Sequence, residues 1–213
     1  GQQVGKDGLA AVGLYGPVVI VFIALTLPVM VGGGILMGRY IGAGNHQNVQ
    51  HIFQFATTLA LVFGGIIALS SPFLIEPVAG FLVGHDNMGL AKYLSDYMLW
   101  QWLALPFFFL RMFWGNFISN DSGPEISRNA SLIGVVLNII LDVVFVMGFH
   151  WGVAGASLAT AISILIAASY LFFHIQKGKN NFGFRHFQFT LKLSAWKELV
   201  RFGIPSFASE ISF

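Results

Sequence analysis

Long stretches without charge, broken by short polar segments, dominate the 213-residue chain. Uncharged runs of about 20 residues, the length an α-helix needs to cross a hydrocarbon core, predict five complete spans. They cover Leu9–Gly38, Ile52–Ile75, Tyr97–Ser119, Ile126–Gly148 and Gly152–Ile175. A sixth begins near Val200 and runs to Phe213. The first is longer than a bilayer requires, so it is expected to tilt or project. Between the fifth and sixth, Phe189, Leu193, Trp196 and Val200 recur at helical spacing while Lys192, Lys197, Glu198 and Arg201 take other faces. That pattern predicts an amphipathic helix at the membrane surface, preceded by the polar stretch KGKNNFGFRH. A solvated basic loop is the alternative.

Composition supports this class. Hydrophobic residues make up 56% and charged residues 9%, against about 25% charged in an ordinary soluble domain. A net charge of +2 is too small to argue for a nucleic-acid partner. With no cysteine there is neither disulfide nor thiolate chemistry. The histidines at 46, 51, 85, 150, 174 and 186 have no HExxH spacing, and no GxxxxGK[ST] loop is present. ATP bound to this chain is therefore not expected to power it. An enzyme would need clustered carboxylates or histidines at one interface, and the sequence offers no such cluster.

Alternating the spans assigns residues 39–51, 120–125 and 176–201 to one side, with Arg39, the adjoining Arg128, Lys177, Lys179, Arg185, Lys192, Lys197 and Arg201. The opposite side, residues 1–8, 76–96 and 149–151, holds only Lys6 and Lys92. Eight basic residues against two place the first side in the cytoplasm. A multi-pass protein of the inner (plasma) membrane follows. Trp100, Trp102 and Trp151 fall near outer span ends, as an aromatic belt predicts. Gly1 lies outside with no signal peptide ahead of it, and Phe213 falls inside a span, so the chain is expected to be an internal piece of a larger transporter-like protein.

Two side chains interrupt the fourth span. Asn138 and Asp142, four residues apart in LNIILDVVFVMG, stack on one helix face. An ionised aspartate near a bilayer centre costs about 2.5–3.5 kcal/mol even on the lenient scale. Such a residue binds an ion, a proton or a cationic substrate, or else joins helices as a buried polar pair. A carboxylate, the amide of Asn138 and the hydroxyl of Thr160 would supply three oxygens to a hard cation such as sodium, whereas a proton needs only the carboxylate. Thr160 could equally bond back to its own helix. Arg111 is the other charge within a span, offset from Asp142 by about 9 Å along the membrane normal. It either snorkels to the cytoplasmic headgroups or lines a cavity mouth. The aromatics of PFFFLRMFWGNF around it read as lipid-facing bulk, and Gly32–Gly34 as a site of close packing or bending. Small residues at Gly152, Ala156 and Thr160, and at Gly155, Ala159 and Ser163, read as helix packing.

Several of these segments, in order, resemble the multidrug and toxic compound extrusion (MATE) family. They are GLAAVGLYGPV, GGGILMGRYIGAGN (32–45), NDSGPEIS (120–127), LNIILDVVFVMGFHWGVAGASLATAIS (137–163) and FGIPSF (202–207). The resemblance implies an all-α integral membrane bundle, one lobe of a twelve-helix, two-lobed transporter. Residues 1–175 would be the N-terminal lobe without its first helix, 176–199 an inter-lobe linker, and 200–213 the start of the second lobe. It implies a cation-coupling site at Asp142, Asn138 and Thr160, with sodium or a proton as coupling ion and no other cofactor. Glu210 stands five residues after Pro205, whereas several subfamilies place a glutamate eight after that proline. The implied function is export of amphipathic, often cationic compounds by a protein monomeric at full length. A lipid-linked saccharide flippase of the same superfamily is the alternative, which would want several cations in its cavity.

Overall fold

The computed structural model describes residues 5–84, 87–121, 123–191, 199 and 201. The second half of the expected amphipathic helix, the sixth span and Glu210 lie outside these residues. Five helices follow one another: α1 (Gly5–Gly42), α2 (His46–Val83), α3 (Met88–Asp121), α4 (Pro124–Asp142) and α5 (Gly152–Gln176). α1, α2, α3 and α5 each contain one predicted span, and the fourth span is shared between α4 and the π-helical turn Val143–Gly148 that continues it. Local chemistry sets their ends. The Asn45 side chain accepts the Asn48 amide at 3.1 Å to start α2, and Asn87 does the same for Leu90 ahead of α3 at 3.1 Å. Gly123, at φ 122°, turns the chain into Pro124, a residue whose fixed φ suits the first helical position.

At 38 residues, α1 and α2 are each about 57 Å long at 1.5 Å per residue. Both exceed the hydrocarbon thickness, so they tilt or project as expected for the first. α4 does not end cleanly. Its last stretch, Val143–Gly148, widens into a π-helical turn. Phe149 N–H then donates to Val144 and Trp151 N–H to Phe145, both at 2.9 Å. The reversal into α5 is made by His150 and Gly152 at φ 59° and 57°.

α3 is the hub, packing on α1, α2, α4 and α5. Its buried residues Leu94, Met98, Trp102, Leu105, Phe109, Phe113 and Phe117 recur every three or four positions. Two expectations are corrected here. The PFFFLRMFWGNF aromatics are not mainly lipid-facing: Phe109, Phe113, Trp114 and Phe117 are buried. Trp102 is not a belt residue either; it is buried and packs edge-on against Phe22 at 6.2 Å. Among the described residues, four helices are long and apolar enough to span a membrane by themselves, and α3 is not one of them. Packed on its neighbours, it tolerates the partly buried Gln101, Arg111 and Asn116 in a way a lipid-facing helix would not.

Lipid tails are as apolar as leucine, so close backbone approach and van der Waals contact, rather than expulsion of water, hold such a bundle together. The glycines show where. A Cβ on Gly33 would meet the Phe117 ring at 2.8 Å, and one on Gly34 the Asn116 amide. Gly32–Gly34 is thus a packing site between α1 and α3. α4 lies at the periphery, with Leu132, Val135, Val136, Ile139, Ile140 and Val143 exposed along one face. The opposite face carries Asn138 and Asp142 inward.

The connections predicted to share a side do so. The segment after α5 folds across the ends of α2 and α3. Asp121 accepts hydrogen bonds from Asn180 Nδ2 at 2.9 Å and from Asn181 N–H at 3.1 Å. Gln50 exchanges two hydrogen bonds with the Gly183 backbone, at 2.8 and 2.9 Å. Gln54 donates to His186 O at 2.7 Å, and Thr190 N–H donates to Thr58 Oγ1 at 3.2 Å. Phe182, buried, stacks on Phe53 at 4.8 Å. This segment is a strap fastened to α2. With this side cytoplasmic, single cysteines at Lys179 and Asn87 should react oppositely with an impermeant thiol reagent in intact cells: 87 labelled, 179 protected. Labelling of 179 alone would invert the topology.

Candidate functional site

Asn138 and Asp142 fall on the inward face of α4, and Thr160 faces them from α5. Asn138 Nδ2 donates to Thr160 Oγ1 at 3.3 Å. Thr160 Oγ1 in turn donates to Ala156 O at 3.1 Å, one turn back in its own helix. Thr160 thus bonds back to its own helix, and its oxygen also accepts from Asn138. The small residues around it permit this approach. Gly155, Ala159 and Ser163 are buried, and a Cβ on Gly155 would meet Phe145 Cβ at 3.1 Å.

Asp142 lies one turn further toward the outer side. It is half-buried, and its Oδ1 atom is enclosed without any hydrogen-bond partner among the described residues. Leaving a buried acceptor unmade costs about 1–3 kcal/mol, more when it is charged. The π-helical turn begins at the next residue, Val143. Such wide turns recur at functional sites, because they displace side chains from regular α-helical register.

The neighbour that sequence spacing could not supply is Tyr97 of α3, which stands within electrostatic reach of Asp142. Tyr97 packs edge-on against buried Tyr15 of α1 with ring centroids 5.3 Å apart. Its carbonyl accepts a short hydrogen bond from Ser157 of α5. Tyr97 thus meets α1 through its ring and α5 through its backbone carbonyl, near the Asp142 carboxylate of α4. Nothing in the linear pattern marked it, since Tyr97 was simply the first residue of a predicted span.

Arg111 does not pair with Asp142, and among the described residues it has no ion-pair partner. It lines a cavity of about 270 Å³ between α3, α4 and α5, together with Asn138, Thr160, Ser131 and Ser163. A second, more apolar cavity of about 420 Å³ opens between α2, α3, α5 and the strap, lined by Phe107, Trp114, Phe172, Phe184 and Phe187 among others. No group of three or more His, Cys, Asp or Glu that could hold a metal ion occurs among the described residues.

Comparison with known proteins agrees with this architecture. The chain is 32% identical over 93% of its length to the multidrug export protein MepA of Staphylococcus haemolyticus, covering 44% of that protein. It is 28% identical to MepA of Staphylococcus aureus strain N315, over 89% of the chain and 44% of that protein. It thus spans less than half the length of these curated relatives. Among solved structures, a MATE protein in a bent conformation superposes with a TM-score of 0.84 at 23% identity, over 98% of this chain and 46% of that one. An inward-facing multidrug resistance MATE family transporter gives 0.82 at 23% identity, over 95% and 46%. At these identities the structural likeness speaks for the fold alone. The MatE family profile matches residues 2–144, from the start of α1 through the Asn138–Asp142 pair. The chain belongs to the MatE family, a family of membrane transporters.

Proposed function

We propose that this chain supplies the N-terminal lobe of an exporter that moves amphipathic, often cationic compounds out of the cell in exchange for an inward-flowing proton or sodium ion. Residues 1–175 form the lobe, 176–199 the inter-lobe linker and 200–213 the beginning of the second lobe. The observation that carries the reading is the Asp142 carboxylate: it lies within a membrane span with one oxygen enclosed, and among the described residues that oxygen has no hydrogen-bond partner and no cation pairs with the group. Such a group favours a state in which an ion or proton occupies it.

Asn138 and Thr160 support the carboxylate. As drawn, the amide nitrogen of Asn138 faces Thr160; a flip of that amide would turn its carbonyl oxygen toward an incoming cation instead. Sodium would then find up to three protein oxygens, while a proton would need only Asp142. Export follows if ion and drug favour different cavity states, because a ligand shifts a conformational equilibrium only through differential affinity.

The membrane-wide resemblance to MepA proteins, named multidrug export proteins, supports the drug-export half. A flippase for lipid-linked saccharides would need several cations against its pyrophosphate. The described cavity holds one, Arg111. The working form is taken as a monomer of the full-length protein in the lipid bilayer, with the coupling ion as its only cofactor.

The test is efflux of a fluorescent cationic dye by the full-length protein in vesicles, under a pH gradient or a sodium gradient imposed separately. One gradient should drive efflux and the other should not. Asn138→Ala and Thr160→Ala should each slow it by about 3- to 10-fold if sodium is the coupling ion, corresponding to the loss of roughly one modest ligand interaction. They should have smaller effects if it is a proton. No efflux under either gradient would remove the reading.

A further inference from the structure

We propose that the cavity between α3, α4 and α5 is an anion subsite, in which Arg111 holds a carboxylate carried by the transported molecule. This rests on reading the chain as part of an exporter, and names a feature of its substrates that the coupling ion does not determine.

The cavity's polar lining consists of Arg111, Ser131, Asn138, Thr160 and Ser163, and none of its lining side chains is acidic. The Nε atom of Arg111 is buried and has no hydrogen-bond partner, and no carboxylate among the described residues pairs with the guanidinium. A partly buried cation with an enclosed, unbonded N–H and no counter-charge beside it is unfavourable, so the site is poised for a negative partner. One hydroxyl adds a donor: Ser163 spends its proton on Ala159 O at 2.8 Å and Thr160 on Ala156 O, which leaves Ser131, exposed at the cavity, to donate to an anion beside Arg111.

Geometry narrows the class. The planar guanidinium fork matches a carboxylate through two parallel N–H···O bonds. One cation suits a monoanion rather than a pyrophosphate. At about 270 Å³ the cavity falls at or below the small end of ligand pockets, roughly 300–1,000 Å³. It therefore takes the acidic end of a molecule and not the whole. Asp142 lies one turn beyond Asn138, outside the cavity lining, and the Asn138–Thr160 hydrogen bond stands between the two charges. Substrates carrying an acid at one end and an amine at the other would match this separation of charge.

The test compares binding of a fluorescent aromatic amino acid derivative with that of its methyl ester, to the purified full-length protein with no gradient present. The acid should bind about tenfold or more tightly than the ester, as expected for a charge-assisted hydrogen bond. Arg111→Gln should bring that ratio close to one, and Arg111→Lys should retain part of it. Because the ratio is internal to each variant, ester binding reports that the variant is folded. Equal binding of acid and ester by the unaltered protein would overturn the proposal, as would a ratio that survives Arg111→Gln. A ratio abolished by millimolar chloride would also overturn it, assigning the site to an inorganic anion. Any of these results leaves gradient-driven dye efflux standing, so failure here is distinct from failure of the export reading.

Discussion

Replacing Asp142 with asparagine should reduce gradient-driven efflux to the passive leak while leaving the protein folded and inserted. The substitution preserves size and most hydrogen-bonding capacity and removes only the titratable charge. If Asp142 merely joined helices, asparagine would serve as well, since polar contacts between helices in membranes contribute on average about 0.6 kcal/mol and do not require ionisation. If it is the coupling group, no proton or sodium ion can be exchanged at that position, and the cavity states lose their link to the gradient. The two outcomes differ in kind. Efflux by Asp142→Asn at the normal rate, with unchanged ion dependence, would return the pair to a structural role. Dye binding without a gradient should persist, which separates lost coupling from lost protein.

Much of this site was legible before any fold was known, because a membrane makes polar residues conspicuous. Asn138 and Asp142 stand out against an apolar run, and their spacing by four fixes a common helix face regardless of tertiary structure. Thr160 needed more. Its place opposite Asn138 came from the family resemblance, and only the packing of α4 on α5 shows the 3.3 Å contact. Tyr97 was invisible. Its relation to Asp142 depends on how α3 lies across α4, and no periodicity along one helix encodes a crossing between two.

The aromatic run of α3 was misread for a related reason. In water, burial can be inferred from hydrophobicity; in a bilayer, lipid-facing and core-facing positions are both apolar, so Phe107 and Phe109 look alike in sequence. Phe107 is 38% exposed and Phe109 1%. What separates them is the helix face that meets α1, α2 and α5. The polar residues of the same helix were the better guide: a span carrying Gln101, Arg111 and Asn116 belongs inside a bundle. Helix ends moved outward for the opposite reason. Hydropathy marks where the chain meets lipid, whereas capping by Asn45 and Asn87 sets where the helices actually begin, beyond the apolar core.

The contact between α2 and α3 yields the sharpest prediction about stability, because two adjacent glycines oppose each other as test and control. Alanine in a helix interior is ordinarily favoured over glycine by about 0.5–1 kcal/mol. At Gly65, nothing lies within 4 Å of the position a Cβ would take, so Gly65→Ala should be neutral or stabilising. At Gly64 the same atom would sit 2.6 Å from Cα and 2.7 Å from N of Pro106. Those are backbone atoms, so no flexible side chain can swing aside. Overpacking of this kind typically costs about 1–3 kcal/mol, which outweighs the propensity gain and forces α2 away from the hub helix. Gly64→Ala should therefore lower the thermal unfolding midpoint of the detergent-solubilised protein by several degrees, while Gly65→Ala leaves it unchanged or raises it. Equal midpoints for the two variants would mean that α2 and α3 do not meet at Pro106 as described.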